Sequence, residues 1–237
     1  MDPCFHTTRW SVVLTAGAGE RTRSRAALAE LCRTYWYPLY AFARRRGSDP
    51  AAAEDRVQGF FAELLEKNRL ETADPVKGRF RAFLLTAFKG HLSLEREKEQ
   101  ALKRGGGRQP FSIDFAAGER LYALEPATDI TPERIYERRW ALTLLERVME
   151  GLRAEMENKG KGELFAALRP FLAGPPPGEG YAEPAKRLDM SLPAVKTAMH
   201  RLRRRYRRRL RAEIAETLAE PGQVEEEIAH LMEALGG

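Results

Sequence analysis

Apolar residues recur at three- and four-residue steps along nearly every patterned stretch of this chain, and no run alternates as a half-buried strand does. Leu28, Leu31, Cys32, Tyr35 and Trp36 form one such stripe, running up to Pro38. Pro38 lacks an amide hydrogen and crowds the turn before it, so it is expected to kink or interrupt that helix. Val57, Phe60, Phe61, Leu64 and Leu65 form a second stripe; Phe80, Phe83, Leu84, Ala87, Phe88, His91 and Leu92 form a third. The pattern predicts an all-α protein, with no internal repeat.

Glycine and proline divide the stripes into blocks. "KRGGGRQP", residues 103–110, opposes helix continuation. The next stretch, "FSIDFAAGERLYALEPATDI", sets four acidic residues against Arg120 and has weak periodicity, so it reads as a linker. In "TPER", Thr131 supplies a helix N-cap and Pro132 the first helical position. A long helix is expected from there to about Asn158, where "NKGKG" ends it, and a shorter one in "ELFAALRPFLAG" stops at "GPPPGEG". The resulting organisation is a helical domain at 1–105, an acidic linker at 106–131, a second helical domain at 132–212 and an acidic helical extension at 213–237.

With 237 residues, 43% of them hydrophobic and 31% charged, the chain can build real cores. The net charge of +6 suits an anionic partner, but its distribution says more than its total. Nine Lys or Arg crowd Lys196–Arg211, whereas Glu213–Glu233 carries seven Glu and no Lys or Arg. Cys4 and Cys32 frame no disulfide scaffold, and with four scattered His they match no zinc spacing. Reduced thiols, the absence of a signal-peptide pattern and apolar runs no longer than "AFLLTAF" point to a soluble cytoplasmic protein. "AGAGERTRS" lacks the ending of a phosphate-binding loop, and no zinc-protease or nucleophile-elbow motif occurs. No catalytic residue, metal or cofactor is expected.

The cationic run is the tail of a longer pattern, "YAEPAKRLDMSLPAVKTAMHRLRRRYRRRL". A short helix from Tyr181 to Leu188 leads to a turn at Asp189–Met190. Asp189 stands where such a turn favours Gly, and Asp tolerates left-handed geometry better than most residues. Ser191 then caps a long helix whose buried stripe is Val195, Met199, Leu202, Tyr206 and Leu210. That order is the pattern of a DNA-binding helix-turn-helix. Lys196, Thr197, His200, Arg201 and Arg204 lie opposite the stripe, where they can reach base edges, while Arg203, Arg205, Arg207 and Arg208 suit phosphates.

Two features of the first half add to this. In "AAAEDRVQGFFAELLE" the stripe leaves Asp55, Gln58, Gly59, Ala62 and Glu66 on the opposite face. Gly59 in a helix interior costs about 1 kcal/mol relative to Ala, so with Ala62 it suggests close packing there, by a neighbouring helix or by a partner's helix. "KGRFRAFLLTAFKGHLSLEREKEQALKR" interleaves basic residues with a Phe-rich stripe, as a surface for unpaired nucleic acid does, although Phe80, Phe83 and Phe88 also fit a core. In the extension, Ile228, Leu231, Met232 and Leu235 form a stripe of their own. The tail is expected either to pack on the second domain with its glutamates in water, or to set Glu225, Glu226 and Glu227 against the arginines of the cationic helix.

With "LCRTYWYPLYAFARRRG", "AEDRVQGFFAELLE", "FRAFLLTAFKGHL" and "YAEPAKRLDMSLPAVKTAMHRLRRRY" in this order, the chain resembles the extracytoplasmic-function (ECF) sigma factors, sigma-70-family promoter-recognition subunits of bacterial RNA polymerase. "TTRWSVVLTAG", "KRGGG" and the C-terminal extension are similar to a longer variant subgroup. The resemblance implies a region-2-like domain that binds the polymerase clamp helices through Asp55, Gln58, Gly59 and Ala62. The same domain would melt and read the promoter −10 element with Arg79, Arg81, Lys89, His91 and Arg96. Gly90 departs from the polar residue often found near the flipped-base pocket, and His91 is the substitute there. The resemblance further implies a region-4-like domain that reads the −35 element with the Lys196–Arg204 set and meets the polymerase flap, and it leaves room for an anti-sigma factor or other regulator as a partner. The alternative reading is a stand-alone helix-turn-helix regulator whose first half is a dimerisation or ligand domain.

Overall fold

Helical periodicity becomes helix in a computed structural model that describes residues 21–66, 79–101, 114–125, 130–172, 174, 180–218 and 221–236. The described residues form nine α-helices and no strand: α1 (Arg21–Arg45), α2 (Pro50–Glu66), α3 (Phe80–Ala101), α4 (Phe115–Tyr122), α5 (Pro132–Asn158), α6 (Gly162–Leu168), α7 (Ala182–Arg187), α8 (Leu192–Ala215) and α9 (Val224–Gly236). None of them is long and apolar enough to cross a membrane. Two compact units result, one from Met1–Thr143 with Ile214–Gly237, the other from Leu144–Glu213.

The first unit departs from expectation in three places. α1 runs unbroken through Pro38. Tyr35, Leu39, Tyr40, Phe42 and Ala43 around it are all buried, so tertiary packing offsets the one backbone hydrogen bond that proline removes. Residues 115–122, expected in the linker, form α4 instead. Asp114 caps it, its carboxylate accepting from the Ala117 amide at 2.9 Å. Phe115 packs edge-on against Trp36 with ring centroids 5.5 Å apart, and a Cβ on Gly118 would stand 2.8 Å from that indole, so only glycine lets the helix approach this closely.

Third, the boundary between units falls inside α5, at Thr143/Leu144, rather than at residue 131. The cap is where the sequence puts it, Thr131 Oγ1 accepting from the Arg134 amide at 3.3 Å. Yet Ile135, Tyr136 and Trp140 on the first turns are buried, and the Tyr136 hydroxyl donates to the Arg81 carbonyl at 3.0 Å. The extension also belongs to this unit: Leu231 of α9 is fully buried in it.

The second unit has a core of Leu152 and Met156 from α5, Phe165 and Leu168 from α6, Ala185 from α7, and Val195, Met199 and Leu202 from α8. Left-handed residues close its short connections. Gly160, at φ +64°, ends α5 with Lys161 N–H donating to Met156 O at 2.8 Å.

α4 is tied to α1 by charge as well as by rings. Glu119 accepts from the Tyr40 hydroxyl at 2.6 Å and from Arg44 Nε and Nη2 at 3.0 and 2.8 Å. The Arg44 guanidinium holds the Glu119 carboxyl below its ordinary range. A depressed folded-state value means that the pair contributes stability above the carboxylate range and loses it as pH falls through the folded value. Glu119→Gln is expected to lower neutral-pH stability by no more than the ~1 kcal/mol of a solvent-screened pair, and to remove part of the acid-side slope. Urea melts from pH 7 to pH 3 check this; parallel curves for the two proteins would count against it.

Candidate nucleic-acid interface

The turn between α7 and α8 is set by one residue. Asp189 has φ +49°, the one positive φ outside glycine among the described residues. With it left-handed, Asp189 N–H donates to Lys186 O at 3.3 Å and Met190 N–H to Ala185 O at 2.9 Å, which satisfies the open carbonyls at the end of α7. Ser191 Oγ accepts from the Ala194 amide at 3.4 Å and starts α8. Val195, Met199, Leu202 and Leu210 are buried, while Tyr206 is only half-buried.

That registration decides where the cations go. Lys196, Thr197, His200, Arg201, Arg204, Arg207 and Arg208 are exposed. Except for Thr197, whose hydroxyl donates to Pro193 O at 2.9 Å, none of these side chains has a hydrogen-bond or ionic partner among the described residues. Beside them runs a groove of about 650 Å³ lined by Tyr181, Lys196, Met199, His200, Arg203, Arg204, Arg207, Arg208 and Arg211, with no acid on its walls. Exposed, and without an ionic partner among the described residues, Lys196, His200, Arg201, Arg204, Arg207 and Arg208 favour a polyanion. Tyr181 and Arg211 belong to this wall although the sequence reading left them out.

Two of the expected phosphate contacts have other work. Arg203 Nη2 donates to the carbonyls of Phe171 and Gly174 at 2.8 and 2.7 Å, closing the turn after α6. Arg205 Nη1 points at Met156 Sδ, 3.1 Å away, on the core side. Arg209 joins Arg205 in facing Glu155, at 3.2 Å, and its guanidinium occupies the space a side chain on Gly151 would fill. Lys159 first, then Arg205 and Arg209, hold the Glu155 carboxyl below its usual range.

The first unit presents its expected DNA residues differently. Arg81 is 4% exposed and Arg79 partly exposed; both are met by carboxylates of this chain. Arg81 Nε donates to Glu137 Oε2 at 2.6 Å, its Nη1 pairs with Glu227, and its guanidinium lies 4.4 Å over the Trp140 ring. Arg79 pairs with Glu226 at 3.1 Å and with Glu227 at 2.9 Å. Lys89 pairs with Glu133 at 2.7 Å. His91 is buried, stacked on Phe88, with Nδ1 2.6 Å from Glu63 Oε2. Arg96 has its side chain outside the described residues. Phe80 and Phe88 are core residues, and Phe83 is half-buried against Phe80.

The tail contributes to the first unit. Its Glu226 and Glu227 engage Arg79 and Arg81 there. On α2, Asp55 is exposed, Gln58 is half-buried and donates to Glu54 at 3.1 Å, and Ala62 is half-buried. The neighbour at Gly59 is α3: a Cβ there would stand 3.5 Å from His91 Nε2, an ordinary contact. The helix that faces Gly59 thus belongs to the same unit, at ordinary rather than close contact.

Comparison of the chain with protein families, with curated proteins and with solved structures finds no match.

Two outcomes follow for the second unit. Arg203→Ala removes charge-assisted bonds to two carbonyls and is expected to destabilise by about 1–3 kcal/mol, whereas Arg207→Ala stays within about 0.5 kcal/mol. Thermal melts of the folded variants distinguish them, and equal melts would return Arg203 to the free surface. Asp189→Gly relieves a left-handed L-residue and is expected to raise stability by up to about 1 kcal/mol in the same assay.

Proposed function

We propose that this chain is a bacterial transcription initiation factor of the ECF sigma type, which binds DNA by sequence and recruits core RNA polymerase to promoters. The observation that carries the reading is the free face of α8. Lys196, Thr197, His200, Arg201 and Arg204 stand exposed on one side, aimed by the Asp189 turn and the Ser191 cap, with the buried stripe on the other. In this reading α7, the turn and α8 are the helix-turn-helix, and α8 enters the major groove of the −35 element. Its early residues meet base edges and its later arginines, Arg207 and Arg208, meet phosphates.

The first unit supplies polymerase docking and the −10 element. Asp55 and Gln58 offer the polar edge for the clamp helices, with Ala62 one turn on. Of the −10 set, Arg79, Arg81 and Lys89 are the candidates for a DNA backbone, while His91 acts as a support beneath α2. No step of covalent chemistry is assigned to any residue.

Arg201→Ala is expected to relax discrimination at one or two base positions by about 1–3 kcal/mol. Arg208→Ala is expected to weaken all sequences alike and reduce the salt slope by about 1. A selection from a promoter library measures both, and identical profiles would remove the base-reading role of α8. Pull-down with core polymerase completes the test: the full chain should capture it, and Asp55→Arg should not. A chain that binds duplex tightly and ignores polymerase is instead a stand-alone regulator.

A further inference from the structure

Arg79 and Arg81, at the start of α3, are covered by an acid from the far end of the sequence. Glu227 of α9 has no exposure at all, although glutamate is among the residues least often buried. One of its oxygens pairs with Arg81 and the other with Arg79 Nε at 2.9 Å. Neither oxygen receives a well-directed N–H hydrogen bond. Glu226 adds a second contact to Arg79 from an exposed position. The apolar hold of α9 is thin: Leu231 is sealed, but Met232 is 50% exposed, and 13 residues is a length at which an isolated helix is marginal, about 12–15 residues.

A carboxylate between two guanidiniums occupies the place of a phosphate, since both offer paired anionic oxygens to the same forked donors. We infer that Arg79 and Arg81 form a binding site for the phosphates of single-stranded DNA, and that α9 is its built-in competitor, with Glu227 standing where the phosphate oxygens go. This rests on the proposed function and adds a regulatory state to its −10 site. With α9 docked, Arg81 is sealed and the strand has no access to it. With α9 displaced, Arg79 and the Nη1 end of Arg81 face the strand, while Glu137 keeps Arg81 Nε and holds the guanidinium in place. A strand and α9 therefore exclude each other, and anything that removes the helix raises affinity for unpaired DNA.

The experiment uses the full chain and a fluorescein-labelled, mixed-sequence single-stranded 20-mer, without polymerase. Glu227→Gln keeps the shape and removes the charge; it is expected to tighten binding about tenfold. Freeing two phosphate contacts also steepens the salt dependence by about 1.4 log units per log unit, at roughly 0.7 per contact. Glu226→Gln, at an exposed position that the fold tolerates, should tighten binding about threefold and serves if Glu227→Gln fails to fold. Glu233→Gln, an exposed α9 acid away from the arginines, changes net charge equally and should do nothing. In an Arg79→Ala background the gain from Glu226→Gln should vanish.

Folded variants that bind the strand no better than wild type overturn the inference, as does a gain that survives Arg79→Ala or that Glu233→Gln reproduces. If those results come with intact duplex binding through α8, only the competitor role is lost. If wild type and Arg204→Ala are alike in binding no promoter duplex even with core polymerase added, the DNA reading itself fails.

Discussion

A guanidinium that is almost closed off from water has to be matched by carboxylates, and Arg81 imposes that condition on the first unit. Glu137 comes from α5, Glu227 from α9 and the Trp140 face from α5 again, so segments far apart in sequence meet at one charge. Such a cluster is a weak source of net stability, because desolvation consumes much of the Coulomb gain. Its effect is on choice. Removing one partner of a buried pair typically costs about 3–5 kcal/mol, so an arrangement that offers Arg81 no anion, carboxylate or phosphate, is strongly disfavoured. The register of α9 is set by where Glu227 must sit.

The second unit answers a different constraint. α8 is one helix with three kinds of side chain around its circumference. An apolar stripe enters the core, and Arg203, Arg205 and Arg209 lean onto carbonyls, a thioether and Glu155. The remaining cations stay in water. A run of nine basic residues is thus not one surface, and counting its charges overstates what is free for a partner.

Local signals were readable in the sequence and distant ones were not. Thr131 and Pro132 mark the start of α5, Ser191 caps α8, and Asp189 carries its left-handed turn, because each depends on neighbours within four residues. Pro38 does not interrupt α1, since the burial on both sides of it comes from other helices. α4 was hidden because its hold on α1 is one ring, one absent side chain and one carboxylate, which leave little periodicity in eight residues. The docking of α9 had a signal that went unused. Glu227 lies four residues before Leu231, and Arg81 three and seven before Leu84 and Phe88, so each is a charge standing inside an apolar stripe. Opposite charges in two buried stripes imply one another. His91 likewise belongs to the stripe of α3, and its burial against Phe88 follows from that position.

The separation of labour around α8 bears on how such a chain diverges. Lys196, His200, Arg201 and Arg204 support nothing inside the unit, and Thr197 only returns a bond to its own helix. Neutral drift can therefore exchange them without eroding the fold, whereas Val195, Met199, Leu202 and Arg203 are bound to their neighbours. Among duplicated copies of this gene, substitutions would accumulate at these five positions long before the scaffold beneath them changed.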